Sequence, residues 1–438
     1  MQEQDREYRD DKIDEEKSEY QQEMEEEQEE EMPDSKSSDE SKPELRVGII
    51  PAPEAASDLS DKLAESLSDL LQYYVSDEYT WQVDVVVDSY IGAEEDADKT
   101  LKQAYNIASN YKWDYTVAIT DIPLYKNGDF IVAEVDDKGE LAQISFPALG
   151  MIPIYRRTRE AVLQLLSEMH HGTSDAARER EQERVNQSSD VIKEEVKNTD
   201  TRELIQRGPQ RHLLPIKREV MEDDNETSVR FTAKPKWSGY FRLTTGMVRA
   251  NRPWRVILTF KSIIAIAFAT GAYALIFPSM WMLADEYELF RAVAMMFISI
   301  IAMTAWIIVA HHLWENAEAT SERKSLILLH NLSTMMTIAL GVIVYYATLL
   351  VAFLFAVFIF LPPDMIASEE GINREPNPLY FVYLAWIVTS MATVVGAIGA
   401  GLEDEETVLK GTYGYRQRKR KEYLQEKEKE EEKKQEGE

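Results

Sequence analysis

The chain has no cysteine among its 438 residues. That excludes a disulfide scaffold, a Cys-based zinc site, an iron–sulfur cluster and a thiol nucleophile. Histidine is scarce as well, limited to His170, His171, His212, His311, His312 and His330. Adjacent histidines on a helix point about 100° apart, so neither neighbouring pair forms a chelate by itself. No GxGxxG follows the first strand-like run, Val47-Gly48-Ile49-Ile50-Pro51, and GxxxxGK[ST] occurs nowhere, which argues against a dinucleotide or P-loop site. Basic charge is the minority sign, with 48 Lys and Arg against 78 Asp and Glu and a net charge of −30. This argues against a nucleic-acid partner, whose phosphates call for a clustered basic face. The long apolar runs lack charge too. Only Lys261 lies inside one, about a turn from its end, where its stem can carry the ammonium to the interface.

What is present is segregated. Residues 1–44 hold 20 acidic and 6 basic residues padded with Gln and Ser, too little apolar surface to offset the entropy of ordering; a disordered acidic tail is expected. Residues 45–172 read as an α/β domain. Leu45–Ile50 is a buried-strand run, and Leu59, Leu63, Leu67, Leu70 and Leu71 recur at helical spacing. Trp81–Val87 and Tyr115–Thr120 are further strands, with an amphipathic helix over Thr100–Tyr111 between them. Asp129–Val135 and Leu141–Ser145 form a hairpin around Gly139, and Arg156–His170 closes the domain as a helix. This order predicts a mixed sheet with helices packed on it. Residues 173–236 read as a charged linker.

Four apolar runs follow, at 256–277, 292–310, 335–361 and 379–401, each near the roughly 20 residues that cross a bilayer core. They predict an all-α, four-helix transmembrane domain over 256–402, followed by a charged tail at 403–438. Residues 237–255 alternate rings and guanidiniums, with Trp237, Arg242, Arg249, Arg252, Trp254 and Arg255, the composition of a segment at lipid headgroups. Lys and Arg flank the ends that would be cytoplasmic, including Arg323, Lys324 and the run 416–421. The two remaining loops carry Asp285, Glu286, Glu288, Asp364, Glu369, Glu370 and Glu375. The positive-inside rule, with no signal-like segment at Met1, then predicts a multi-pass protein of the cell membrane with both termini and the α/β domain in the cytoplasm.

The run Ile119-Thr120-Asp121-Ile122-Pro123-Leu124-Tyr125, then Phe130–Glu134, Ala142–Ser145 and Tyr155–His171, resembles the core of the archaemetzincin-type metzincin peptidases. In that family a TD-x-DL strand and an F-VFGEA strand precede a helix of pattern EAVHELGH. The resemblance covers roughly 125 of 438 residues and implies a metzincin-like fold for 45–172. Matching Glu160-Ala161-Val162 to the family's EAV places Leu163 at the first zinc-binding His, Gln164 at the catalytic Glu and Ser167 at the second His. Leucine cannot ligate a metal and glutamine cannot take the proton from a bound water. The resemblance therefore implies a metal-free, catalytically inactive relative, with no cofactor.

Elsewhere the candidates are sparse. His311, Glu315 and Glu318 lie about one turn apart, with His330 across the next loop, and His311, Glu315 and His330 are the best set for a divalent ion. Thr304, Ser299, Thr337, Tyr345, Tyr346, Thr348, Thr389 and Ser390 are the polar groups within the apolar runs, a type that more often bonds along or across helices than lines a path. Gly396, Gly399 and Gly401 form a small-residue stripe suited to close helix packing. The reading that follows is a membrane-anchored cytosolic interaction or regulatory protein, with the bilayer and a protein partner or second copy as its contacts. The alternatives are an oligomeric small transporter or channel component gated by its cytosolic domain, and, more weakly, a membrane enzyme acting on lipid headgroups through the His/Glu set.

Overall fold

The computed structural model describes residues 42–400 apart from 94–95, 127–128, 188–197, 199, 206–215, 222–226, 235, 252, 254–259, 316–320 and 373–375. The expected acidic tail up to residue 41 and the charged tail at 403–438 lie outside the described residues.

The α/β region opens with β1 (Glu44–Pro51), α1 (Ala55–Tyr74), β2 (Thr80–Val85), α2 (Ala97–Ala108) and β3 (Tyr115–Thr120). It continues through β4 (Leu124–Lys126), β5 (Asp129–Asp136), β6 (Leu141–Ser145), a 3-10 turn at Phe146–Leu149 and α3 (Ile154–His171). The sheet runs β2-β1-β3-β6-β5-β8-β7, with β4 pairing β5 off that path. The first four are parallel, and β5, β8 and β7 are joined antiparallel. Alternating residues face opposite sides of a strand. Thus Val47, Ile49, Val117 and Ile119 meet α1 and α3 on one face, while Ile50 and Ala118 meet Leu101 and Ala104 of α2 on the other. Gly48 of β1 lies under Trp113, where a Cβ would stand 1.9 Å from the indole. That ring is held by a stack on Tyr111 at 4.6 Å and by Nε1 donating to Asp84.

The segment expected as a charged linker is partly built into this domain. It supplies α4 (Asp175–Gln187), β7 (Ile216–Val220) and β8 (Thr227–Ala233). β8 pairs with β5 and so covers the edge that β5 would otherwise present. Its Arg230 is only 7% exposed and donates through Nε to Glu134 of β5 at 2.8 Å. Glu134 also accepts from Gln143 of β6 at 2.5 Å. Charge at these positions is compensated across strands, which a strand's own periodicity does not reveal.

The segment expected at the headgroups begins as α5 (Lys236–Ala250). Leu243, Met247 and Ala250 are buried in the α/β core, and at Gly246 the helix meets the 3-10 turn backbone to backbone, where a Cβ would lie 1.9 Å from the Pro147 carbonyl oxygen. Arg242 is 5% exposed and faces the domain, whereas Arg249 is half-buried. Trp237 lies on α5, while Arg252, Trp254 and Arg255 fall outside the described residues.

Next come α6 (Lys261–Ala274), α7 (Pro278–Glu286), α8 (Leu289–Ala310), α9 (Ser321–Phe360), α10 (Pro363–Ala367) and α11 (Pro378–Ala400). Among the described residues three helices are long and apolar enough to cross a membrane, Leu289–Ala310, Leu326–Phe360 and Pro378–Ile398. The first expected span, 256–277, contains α6, which with the following α7 forms a pair bent by 90°, and counting that pair as one broken span gives four. Pro278 explains the break, since proline has no N–H to continue the ladder and clashes with the preceding turn. Trp281 Nε1 donates to the Leu275 carbonyl at 2.8 Å, satisfying one acceptor the break leaves over.

The third expected span, 335–361, is the inner part of a longer helix. α9 has 40 residues, about 60 Å at about 1.5 Å per residue. Its outer turns place Leu326 and Leu329 in the α/β core, and Ile338 to Val357 line the helical core. One continuous helix therefore joins both cores. A hydrogen bond from Asn251, just after α5, to Thr337 Oγ1 at 2.9 Å ties the same junction.

Candidate functional site

Leu163, Gln164 and Ser167, the residues the resemblance sets against the zinc motif, all lie on α3, and all are buried. Leu163 is fully covered in the hydrophobic core. Gln164 donates through Nε2 to the Thr201 carbonyl at 2.5 Å and to Glu168 at 3.3 Å, and its Oε1 accepts from Tyr74 at 3.4 Å. Ser167 accepts from Arg178 Nη1 at 3.1 Å through its hydroxyl and from Nη2 at 2.8 Å through its carbonyl. The chain's own Arg178 of α4 and Thr201 thus hold the polar side chains of Gln164 and Ser167 on α3. Thr201 is itself fastened to α4, its hydroxyl donating to the Arg178 carbonyl at 2.9 Å and its N–H to Gln182 at 3.0 Å.

A buried charge network grows from this point. Glu168, fully buried, accepts Arg218 in a two-pronged contact at 2.8 and 2.9 Å and lies 3.7 Å from Arg178. Arg218 comes from β7 and also donates to the Thr173 carbonyl. A paired guanidinium fork suits a carboxylate held in low dielectric. On the next turn of α4, Glu181 accepts Arg184 at 2.6 and 2.9 Å, and Arg184 reaches the Tyr74 carbonyl at 2.5 Å. Burial and the Glu181 charge both push the Tyr74 phenol up.

The histidine pair ends α3 with two roles. His171 Nε2 is 2.8 Å from the Val75 carbonyl, which can only accept, so that nitrogen carries the proton. Glu181 lies 3.4 Å away. Burial lowers the His171 pKa, against the opposing pull of Glu181 and the Val75 bond. His170 is surrounded by Tyr79, Trp81 and Tyr115, with ring centroids at 5.6, 5.7 and 6.0 Å, and meets the Tyr115 hydroxyl at 3.1 Å. Burial, then the neighbouring His171, lowers its pKa from 6.5 to about 4. The folded state therefore binds fewer protons than the unfolded chain between these values, and stability falls as pH drops from about 6.5 to about 4. Thermal unfolding of the full chain should show this decline. His170→Asn should flatten it, and an equally steep decline in that variant would assign the effect elsewhere.

Of the proposed metal set, His330 Nδ1 lies 3.5 Å from Glu315, and His311 is buried at the end of α8. Asn331 clamps the Glu315 backbone, accepting from its N–H at 2.9 Å and donating to its carbonyl at 3.0 Å. Among the described residues no group of three or more His, Cys, Asp or Glu is disposed to hold a metal ion, and Glu318 lies outside them. The hydroxyls of the apolar helices bond mostly along their own helix: Thr304 to the Ile300 carbonyl, Thr348 to Val344 and Thr389 to Ala385. Tyr346 bonds Ser390 across to α11 at 2.8 Å. Gly396 is where α11 crosses α9, a Cβ there standing 2.2 Å from the Tyr345 hydroxyl and 3.3 Å from Ala267. Gly399 continues α11, and Gly401 is outside the described residues.

No protein-family model, no curated protein and no solved structure matches this chain. The class that fold and site define is therefore an α/β domain with a mixed sheet, followed by a helical region whose apolar helices have the length and composition of membrane-crossing segments.

Proposed function

We propose that this chain is a membrane-anchored interaction or regulatory protein. In this reading the bent pair counts as a fourth pass, and both termini and the α/β domain lie on the cytoplasmic side of the cell membrane, as the placement of Lys and Arg favours. The α/β domain is a catalytically inactive, metal-free relative of the metzincin peptidases. One observation carries the reading: Leu163 is buried in the hydrophobic core, and Gln164 and Ser167 are engaged by the chain's own Thr201 and by Arg178 of α4. A peptidase needs those positions open to metal, water and substrate.

Two further features support a regulatory role. β8 and β7 already extend the sheet beyond β5, so a partner peptide adding a strand on that side would do so at β7. The shared helix α9 carries displacement of the domain directly into the apolar helices, since it contributes to both cores. The along-helix bonding of the hydroxyls gives no comparable support to a conducting role.

In-cell crosslinking of the full chain, followed by mild detergent extraction and mass spectrometry, tests this. The expected result is a stoichiometric second polypeptide linked to lysines of the α/β domain such as Lys62, Lys99 or Lys102. Crosslinks confined to copies of the chain itself would remove the interaction reading and favour a homo-oligomeric transporter.

A further inference from the structure

The sheet ends on β2 at one side and on β7 at the other, and the two edges differ. β7 carries Lys217, Arg218 and Glu219 in succession, the kind of charge that keeps further strands from adding. β2 holds one charged residue, Asp84, and no proline. Its register with β1 runs unbroken from Glu44–Thr80 to Ile49–Val85, so no bulge turns the edge aside. Asp84 is itself engaged, accepting from Arg46 at 2.7 Å and from Trp113 Nε1 at 2.9 Å.

The direction of the outer main chain follows from two bonds that continue the ladder. Val86 donates its N–H to the Ile49 carbonyl at 2.9 Å, and Asp88 donates to the Pro51 carbonyl at 3.1 Å, so the N–H groups of even-numbered residues face β1. Successive peptide groups of a strand point to opposite edges. The N–H and C=O groups of Val83, Val85 and Val87 are therefore turned outward, where no strand pairs with them among the described residues. The side chains along this edge are apolar too. Val83, Val85 and Val86 are half-buried, Val87 is 49% exposed, and Tyr73, on the last turn of the overlying α1, is 62% exposed.

Charge selects the occupant. Between Lys62 and Lys99 the chain has ten acidic residues and no basic one. Arg46 meets Asp84, and Arg184 feels the charge of Asp77, which offsets two of the ten. A second copy pairing β2 with β2 would set this acidity against itself, and like charges across strands are destabilising. A basic strand meets the same edge with attraction.

We propose that the outer edge of β2, residues 81–87, is where the protein partner docks, as an extended segment that adds one strand to the sheet and alternates apolar with basic residues. This deepens the interaction reading above and rests on it. Bonds to the main chain of Val83, Val85 and Val87 supply the pairing, and alternate side chains supply the specificity. Strand parity places the partner's apolar residues beside Trp81, Val83 and Val85, which pack on the α1 side, and its Lys or Arg beside Asp84 and Asp88 on the other face.

Three fluorescent peptides test this on the full chain in nanodiscs of neutral phosphatidylcholine: one alternating Lys and Val, one alternating Glu and Val, and the Lys/Val peptide with the amides of one edge N-methylated, which keeps the charge and removes the donors. The Lys/Val peptide is expected to bind and to slow hydrogen exchange at the amides of Val83, Val85 and Val87. The N-methylated form should bind about ten-fold more weakly, and the Glu/Val peptide should not bind. Val85→Pro removes an outward N–H while the bonds from Val86 and Asp88 to β1 stay in place, a position where an edge strand tolerates proline. It should weaken binding about ten-fold with unchanged thermal unfolding. Should the proline unfold the domain, Glu78→Lys with Val87→Lys, at exposed positions, should give the same weakening. Equal binding of the N-methylated peptide overturns the proposal, as does protection at Ile216–Val220 in place of the β2 valines. Protection of those valines on concentrating the chain without peptide would mean a second copy and overturns it too. An in-cell partner that stays crosslinked in the Val85→Pro variant removes the β2 site and leaves the interaction reading standing, whereas an absent partner for the unaltered chain removes both.

Discussion

Glu168→Ala should destabilise the α/β domain by about 3–5 kcal/mol, the range for removing one partner of a buried ion pair. The carboxylate is fully buried and stands between Arg218 and Arg178, themselves 9% and 0% exposed in their side chains. Its loss leaves two like charges facing each other in low dielectric. The cost is the stranded cations rather than the attraction itself. Replacing the set together, as Glu168→Leu with Arg178→Met and Arg218→Met, should therefore recover much of the loss, because hydrophobic substitutes for a whole buried ionic group are often neutral. Thermal unfolding of the full chain, read by protease susceptibility of the α/β domain, measures both. A penalty under about 1 kcal/mol for Glu168→Ala, the level of an exposed pair, would mean that water reaches the network. Because Arg218 lies on β7 and Arg178 on α4, the same variant should loosen both elements from α3 and uncover Gln164 and Ser167.

Gly246→Ala should reverse the usual effect of its kind. Alanine in a helix interior is ordinarily more favourable than glycine by about 1 kcal/mol. Here the added Cβ would stand 1.9 Å from the Pro147 oxygen and 2.6 Å from its carbonyl carbon. Both obstacles are backbone, so no side-chain rotation relieves them, and α5 must move away from the 3-10 turn. Overpacking of this kind costs about 1–3 kcal/mol. Its consequence is local: Leu243 and Met247 lose contact with the α/β core, and the tie from Asn251 to Thr337 weakens. Hydrogen exchange should rise at residues 146–150 and 236–251 while the sheet stays protected. A stabilised protein with unchanged exchange would show that the two backbones do not meet. Leucine at the same position should enlarge every part of the effect.

The elements that bury one regular face were legible in the chain. Leu45–Ile50 became β1, the leucine repeat from Leu59 became α1, and the second and fourth apolar runs became α8 and α11 within a few residues. Their periodicity is a property of single segments, and burial of one face follows from it. The misread elements have their compensation elsewhere in the chain. β7 and β8 carry Lys217, Arg218, Glu219 and Arg230, and only pairing to Glu134 and Glu168 makes such strands tolerable inside a domain. Arg242 reads as a headgroup residue by composition, but α5 turns it into the domain because Leu243 and Met247 bury beside it. The outer turns of α9 look like a loop before a span, yet Leu326 and Leu329 find a core that sequence spacing could not announce. Segregation of acid from oil and the apolar lengths were thus determined by sequence alone, because each depends on residue type and local period. Which charges meet, what covers α3 and how the domain is joined to the apolar helices were decided only by tertiary structure, because each depends on contacts between residues far apart in the chain.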